Sequence, residues 1–407
     1  MKKKLGHALV FLVVATLPLG AYAGVYDEWL VQDDYAVFSE EIPQELVVTA
    51  DNPVVLDCAA EAALLMEPKT GTVIYEKNAD EPRPPASVTK IMSMLLVMEA
   101  LDAGRISLTD RVCVSETAAG KGGSQIYLAA GEEMEVEELL KSVAVASAND
   151  ACCALAEHIA GSEEAFVQLM NRRAAELGMV NTHFINCTGL DAEGHVTTAR
   201  DISLMAAQLL TAHPQISEYS TIWMDTVRNG AFGLTNTNRL VRFYKGCTGL
   251  KTGSTSQAKF CLAASAERDG VSFIAVVMGC ETSELRFSSA ARLLDFGFGN
   301  FALFGDGGRQ PVSVPVVMGR QEQVSAVFED VTLLLPKGKE NAVEVSVELE
   351  RELIAPVERG QTVGTVTYTL EGQVLETARI KAFDGVPRMG VMDVARKIFR
   401  CFFGVKN

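Results

Sequence analysis

Histidine is scarce in this 407-residue chain, five in all, and no cysteine–histidine cluster has the spacing of a zinc site. No metal and no other cofactor is expected on that ground. Positive charge is scarce as well: 36 lysines and arginines stand against 52 acidic residues, a net charge of −16. That balance excludes nucleic acid as a partner, because phosphate binding needs a basic face. Internal repeats and low-complexity tracts are both lacking, which excludes a repeat architecture. Cysteine is present in an odd number, nine, with no regular spacing, and Cys152, Cys153 and Cys261 lie inside apolar runs. Buried free thiols are therefore expected rather than a disulfide framework.

Long apolar runs are missing too. The run from Ala8 to about Leu19 is short for a membrane span and is broken by Pro18 and Gly20. Basic Lys2, Lys3 and Lys4 precede it and small Ala21 and Ala23 follow, the layout of a secretory signal peptide cut after Ala23. An uncleaved anchor is the competing reading. An exported protein is expected.

What is present suggests two domains. Apolar residues make up 48% of the chain, enough for a full-size core. Residues 24–57 carry no lysine or arginine and two prolines, and read as an acidic lead-in. Residues 58–304 look globular. A hairpin is expected from Leu64–Met66 and Val73–Tyr75 around a turn at Lys69–Gly71. Helical patterns follow at 87–102, 135–146, 150–160, 163–177 and 198–212, with Gly104 and Gly178 as stops. Strands return around KGCTGLKTGSTSQAKFCLAASAERDGVSFIAVVMG, with Arg268-Asp269-Gly270 as a tight turn. Helices enclosed by strands predict an α/β (α+β) domain with a mainly antiparallel sheet and a helical subdomain. Residues 310–385 are short, β-branched and alternating, which predicts a small all-β domain. In 387–407, Val391, Val394, Ala395, Ile398, Phe399 and Phe402 share one helical side, and Asp393, Arg396, Lys397 and Arg400 the other. Such a helix suits a membrane surface, with docking on its own domain as the alternative.

Three short motifs carry candidate chemistry. In PPASVTK, Pro84 and Pro85 set a helix start near Ala86, which places Ser87 in the first turn and Lys90 one turn on, on the same face. A serine hydroxyl becomes nucleophilic when a base takes its proton, and a lysine among Val88, Ile91 and Met92 can be desolvated enough to be that base. Taken alone, Ser87 could equally be a helix cap. Ser147-Ala148-Asn149 puts a hydroxyl and an amide at alternate positions between two apolar helices, although Asn149 or Asp150 could simply cap the second one. Lys251-Thr252-Gly253-Ser254 opens an expected strand. There Lys251 supplies a cation for a carboxylate, Thr252 can face a substrate, and Gly253 permits close backbone approach.

In the order Ser-x-x-Lys, Ser-x-Asn, Lys-Thr-Gly, these motifs match the set of penicillin-binding proteins and class A β-lactamases. The chain resembles the serine-type D-alanyl-D-alanine carboxypeptidases, low-molecular-weight penicillin-binding proteins of the S11 peptidase type. The likeness runs from about Ala59 to Tyr244 and on through Phe298. PPASVTKIM, SANDACCALAEHIAG, FVQLMNRRAAELGM, the CTGL before His195, TTARDIS and GLKTGSTS all take part. Ala148 departs from the Ser-Asp-Asn form, and Cys187 and Cys247 stand where other residues are expected.

The resemblance implies a penicillin-binding/β-lactamase-like transpeptidase domain followed by the all-β domain. It implies that Ser87 is acylated by stem peptides of peptidoglycan ending in D-Ala-D-Ala, with Lys90 as base and Ser147 as proton relay. Asn149 would orient the peptide and the lysine. Lys251 and Thr252 would bind the terminal carboxylate, with the charge of Lys251 also keeping Lys90 deprotonated. The N–H groups of Ser87 and Ser254 would form the oxyanion hole. β-Lactams would trap Ser87, and the site would lie at the outer face of the cytoplasmic membrane or in the cell wall. A β-lactamase is the nearest rival, but its water-activating glutamate and asparagine would have to be Glu176 and Asn181, five apart rather than four. Cross-link endopeptidase or transpeptidase action, and a non-catalytic muropeptide-binding protein, are the further alternatives.

Overall fold

The computed structural model of the protein describes residue 56 and residues 58–403, with side chains as far as residue 399. The expected signal peptide, nearly all of the acidic lead-in, and the side chains of Arg400, Phe402 and Phe403 lie outside the described residues.

A five-stranded sheet organises the first domain. Its strands are β1 (Ala62–Met66), β2 (Val73–Lys77), β3 (Cys247–Thr255), β4 (Lys259–Arg268) and β5 (Val271–Cys280). They lie in the order β2-β1-β5-β4-β3, and every neighbouring pair is antiparallel. The β4–β5 turn is Asp269-Gly270, with φ of 52° and 80°, the left-handed pair that matches strand twist in a two-residue hairpin. Both faces of the sheet are covered. Ala63, Leu65, Leu262, Ala264, Ala275 and Val277 pack with Phe287, Leu293 and Leu294 from the C-terminal helix of the domain, Ser283–Asn300. The alternate residues Leu64, Met66, Ile274, Val276 and Met278 are also buried, on the side of the helical subdomain.

That subdomain is built on α1 (Lys90–Asp102), whose Ile91, Met92, Met94 and Leu95 are fully buried. A helix apolar on nearly every side must sit centrally, and α1 packs against α2 (Val136–Ala146), α3 (Asn149–Ala160), α4 (Glu163–Glu176) and α5 (Ala199–Ala212). Ser162 and Thr198 cap α4 and α5 by accepting the N–H groups of Ala165 and Asp201 at 3.2 and 3.0 Å. Gly161, at φ +83°, closes α3. The expected helices are all present within a few residues of their bounds.

The second domain is all-β. A six-stranded sheet includes the long antiparallel pair Thr362–Leu370 and Gln373–Ala382, packed around Val314, Val324, Val366, Tyr368 and Ile380. A separate pair, Phe301–Gly305 with Thr332–Pro336, buries Phe301 and Leu334 in the core of the first domain and so stitches the two together. The closing helix, Val391–Phe403, turns its polar side to the β-domain. Asp393 pairs with Arg320 at 3.0 Å and Lys397 with Glu322 at 2.7 Å, while Val391, Met392, Ile398 and Phe399 are exposed. Among the described residues no helix is long and apolar enough to cross a membrane.

Candidate active site

The turn that carries Ser87 is tighter than the sequence suggests. After Pro85, residues Ala86–Thr89 form a 3-10 turn, and regular α-helix begins only at Lys90. Ala86 has φ +49°, a region that L-residues seldom occupy, so the entry of the chain into this turn is strained. The result brings Lys90 Nζ within 3.0 Å of Ser87 Oγ. Lys90 also donates to the carbonyl of Thr188 at 2.7 Å, and it is fully buried. Burial pushes its ammonium down to about 8, against the opposing pull of Cys152, Cys187 and Asp150. About a tenth of Lys90 is therefore neutral at pH 7, against well under a thousandth for an ordinary lysine.

The Thr188 carbonyl is fixed by its own loop. Asn186 Oδ1 accepts the N–H groups of Thr188 and Gly189 at 3.1 and 2.7 Å, and closes a tight turn. His195 ties this loop to the serine turn. Its Nδ1 accepts the Ile185 N–H at 3.1 Å, which leaves Nε2 as the donor to Thr89 Oγ1 at 2.9 Å. Burial pushes His195 down to about 4, so it stays neutral in that role.

Ser147 ends α2 in the left-handed region, at φ +61°, and is buried. Asn149 opens α3. Its Nδ2 donates to the Gly122 carbonyl at 2.6 Å and its backbone N–H to Ser124 at 2.7 Å. Among the described residues, its buried Oδ1 has no hydrogen-bond partner. The capping alternative does not hold for Asn149, because the cap position is Ala148, without a side-chain bond. Asp150 instead anchors the loop opposite, accepting the N–H groups of Ile126 and Leu128 at 3.2 and 3.0 Å.

Lys251, Thr252, Gly253 and Ser254 lie in the second half of β3, not at its start. A β-carbon on Gly253 would stand 3.0 Å from the backbone nitrogens of both Ser87 and Val88, so the strand passes against the serine turn. Lys251 and Thr252 are buried and Ser254 is exposed. Thr252 Oγ1 donates to Thr237 Oγ1 at 2.7 Å. Arg286 holds the strand from beneath, donating to the Gly253 carbonyl at 3.1 Å. Burial, and then repulsion from Lys90 and Arg286, hold Lys251 well below the usual lysine range. Burial, rather than Lys251, is what lowers Lys90.

Ser87, Lys90 and the Lys251–Ser254 strand thus meet at one place, while Ser147 and Asn149 lie at the junction of α2 and α3. Sequence reasoning assigned no part to Thr237, Arg286, Thr188 or His195. The Ser283–Asn300 helix carries two arginines, Arg286 and Arg292, and nothing local in the sequence sets Arg286 apart. Glu176 and Asn181 are engaged elsewhere: Arg173 holds the Glu176 carboxylate at 3.0 Å, and the Asn181 N–H goes to Asp201, also at 3.0 Å.

Comparison with known proteins fits this geometry. The profile of the family described as D-alanyl-D-alanine carboxypeptidase matches residues 47–282. That of the penicillin-binding protein 5 C-terminal domain matches residues 298–388. The chain is 42% identical over 345 residues to D-alanyl-D-alanine carboxypeptidase DacF of Bacillus subtilis, covering 83% of this chain and 88% of that protein. Against DacC of Escherichia coli identity is 36%, over 85% of this chain and 90% of the other. Penicillin-binding protein 5 from Haemophilus influenzae superposes with a TM-score of 0.74 at 32% identity, over 81% of this chain and 98% of that one. Penicillin-binding protein D2 from Listeria monocytogenes, in its ampicillin-bound form, gives a TM-score of 0.55 at 33% identity, over 60% of this chain and 99% of that one. With a profile match over more than half its length and relatives at this identity and coverage, the chain belongs to the D-alanyl-D-alanine carboxypeptidase family.

Proposed function

We propose that this protein is an exported serine D-alanyl-D-alanine carboxypeptidase that removes the terminal D-alanine from peptidoglycan stem peptides. The observation that carries the reading is the 3.0 Å contact between Ser87 Oγ and a fully buried Lys90 whose ammonium is pushed down to about 8. Ser87 Oγ attacks the carbonyl carbon of the penultimate D-alanine and its proton passes to Lys90. The N–H groups of Ser87 and Ser254 stabilise the oxyanion. Ser147 delivers a proton to the departing D-alanine nitrogen as the C–N bond breaks and takes one back from the Lys90 ammonium, which leaves Lys90 neutral. Water then attacks the Ser87 ester, with Lys90 again as base, and restores the serine.

Lys251 and Thr252 receive the terminal carboxylate. An arriving anion raises the depressed ammonium of Lys251, so substrate binding restores its charge. Asn149, its Nδ2 committed to Gly122, offers Oδ1 to an N–H of the bound peptide. A β-lactam acylates Ser87 by the same route and leaves a slow ester. Loss of the terminal D-alanine removes the donor bond used by cross-linking enzymes, which limits cross-linking.

The segment 1–23 directs export and is cut after Ala23. The closing helix lies on the outer face of the cytoplasmic membrane, supported by its exposed Val391, Met392, Ile398 and Phe399. The β-domain spaces the catalytic domain from that surface. The test is D-alanine release from a peptide ending in Lys-D-Ala-D-Ala, wild type beside Ser87→Ala, with penicillin hydrolysis read on the same samples. D-Alanine release that is lost in Ser87→Ala, with slow penicillin turnover, is expected. Fast penicillin turnover without D-alanine release would make the protein a β-lactamase, and neither activity would leave a binding protein.

A further inference from the structure

Near Lys90 lie three thiols that the proposed reaction does not use. Cys152 and Cys153 come from the first two turns of α3 and Cys187 from the loop before Thr188. All three are buried. Cys187 Sγ donates to Glu163 Oε1 at 3.3 Å, and the Cys187 N–H reaches the same oxygen at 3.3 Å. Cys153 Sγ lies on the other side of the group, 3.7 Å from Glu157 Oε1. Among the described residues, Cys153, Glu163 and Cys187 are the group whose donor atoms converge, all within 4.8 Å of one another.

We infer that Cys153, Cys187 and Glu163 form a binding site for one thiophilic divalent cation of the zinc class. A tetrahedral zinc with Zn–S of about 2.3 Å has edges of about 3.8 Å, so the donors need to close by only about an ångström. Two sulfurs and a carboxylate oxygen favour zinc-like ions over calcium or magnesium, which take oxygen ligands. The charges of the ligands and Lys121 balance, with the Glu157 carboxylate 3.7 Å from Cys153 Sγ as one further negative charge. Two thiolates and the Glu163 carboxylate carry three negative charges; a divalent cation and the Lys121 ammonium carry three positive ones.

Lys121 pairs with Glu163 through Oε2, while Oε1 faces the thiols, so the lysine orients the carboxylate without blocking the donor oxygen. Each thiol releases its proton to solvent as its S–metal bond forms. Access is from the Lys121–Glu163 side, where those side chains are 19% and 12% exposed. Cys187 comes 34 positions after Cys153 and the third donor is a glutamate, which is why no zinc spacing is visible in the sequence. Occupancy would tie the 185–190 loop to α3 directly beside the Thr188 carbonyl that holds Lys90.

The experiment is cobalt(II) titration of the purified, reduced full chain, followed by absorption. One cobalt per chain, with sulfur-to-cobalt charge transfer and the intense visible bands of a tetrahedral site, is expected. Cys153→Ala should lose the charge-transfer band, whereas Cys113→Ser, at an exposed cysteine elsewhere, should keep it. Labelling by a fluorescent penicillin shows that each variant is folded. On the wild type, zinc should slow alkylation of Cys153 and Cys187 at least about tenfold, read by mass spectrometry, which needs no variant. No charge-transfer band, an equal band in folded Cys153→Ala, or unprotected thiols would overturn the site. So would a Cys153–Cys187 disulfide that takes up no cobalt.

Discussion

Gly189 lies so close to Ala86 that a β-carbon on it would stand 1.8 Å from the Ala86 carbonyl oxygen and 2.8 Å from Thr89 Oγ1. The contact is backbone against backbone, and Gly189 sits at φ +84°, so a larger residue meets both a clash and a strained conformation. The two segments in contact are the turn that bears Ser87 and the loop that holds Lys90 through Thr188. Moving either one separates the hydroxyl from its base.

Gly189→Ala should therefore slow acylation by penicillin on the order of a hundredfold, the cost of a displacement near an ångström. A stopped-flow acylation rate, taken with a melting curve, checks this. A rate within twofold of wild type would show that the serine turn tolerates the shift.

Lys90 leads to a pH dependence with a definite sign. Its ammonium is lowered from 10.5 to about 8, so the neutral, proton-accepting form grows as pH rises through that value. The acylation rate should rise with pH and reach half its plateau near 8. Lys90→Arg keeps a cation that cannot give up its proton, and it should lose the limb along with a rate factor on the order of a thousandfold. A flat profile in the wild type would show that another group takes the serine proton.

His195 should be visible in stability rather than in rate. The imidazole is held neutral, its pKa lowered from 6.5 to about 4. Between those values the unfolded chain binds a proton that the folded one refuses, so the stabilisation is complete above 6.5 and is lost as pH falls toward 4. Integrated over the window from 6.5 to about 4, this single group is worth roughly 3 kcal/mol. His195→Gln can still accept from Ile185 and donate to Thr89, but it does not titrate. Its denaturant midpoint should fall less steeply with acid than that of the wild type, and parallel slopes would contradict the assignment.

The serine turn, the Ser-x-Asn junction and the Lys-Thr-Gly strand were legible in the sequence because each lies within a few residues of its partners, next to a helix or strand with clear apolar periodicity. The structure adds the caps Ser162 and Thr198 at two helix starts, a local signal that the apolar pattern alone did not use. Other features depend on the fold. Thr237 meets Thr252 across 15 positions and His195 meets Thr89 across 106, pairings that no local pattern encodes. The Lys-Thr-Gly motif does not open β3, because the strand already runs through Thr248-Gly249. It begins at Cys247, with a register shift between Cys247 and Gly249. The 3-10 form of the Ser87 turn is invisible locally for a similar reason, since it follows from Ala86 being held against Gly189.

The closing helix provides the last test, because its polar side is already occupied. Arg320 and Glu322 of the β-domain hold Asp393 and Lys397, so the helix presents Val391, Met392, Ile398 and Phe399 outward while remaining attached. A soluble domain gains nothing from 60% exposure of a phenylalanine beside a 54% exposed isoleucine. Transfer of two such side chains from water to the acyl boundary is worth about 1.5–3 kcal/mol each. Replacing both by aspartate, in Ile398→Asp with Phe399→Asp, should weaken binding to anionic vesicles by about a hundredfold or more. D-Alanine release from a soluble peptide reports on the same sample whether the catalytic domain is intact. Retained vesicle binding with intact peptide turnover would move the anchor away from this helix, to an uncleaved N-terminal segment or to the β-domain itself.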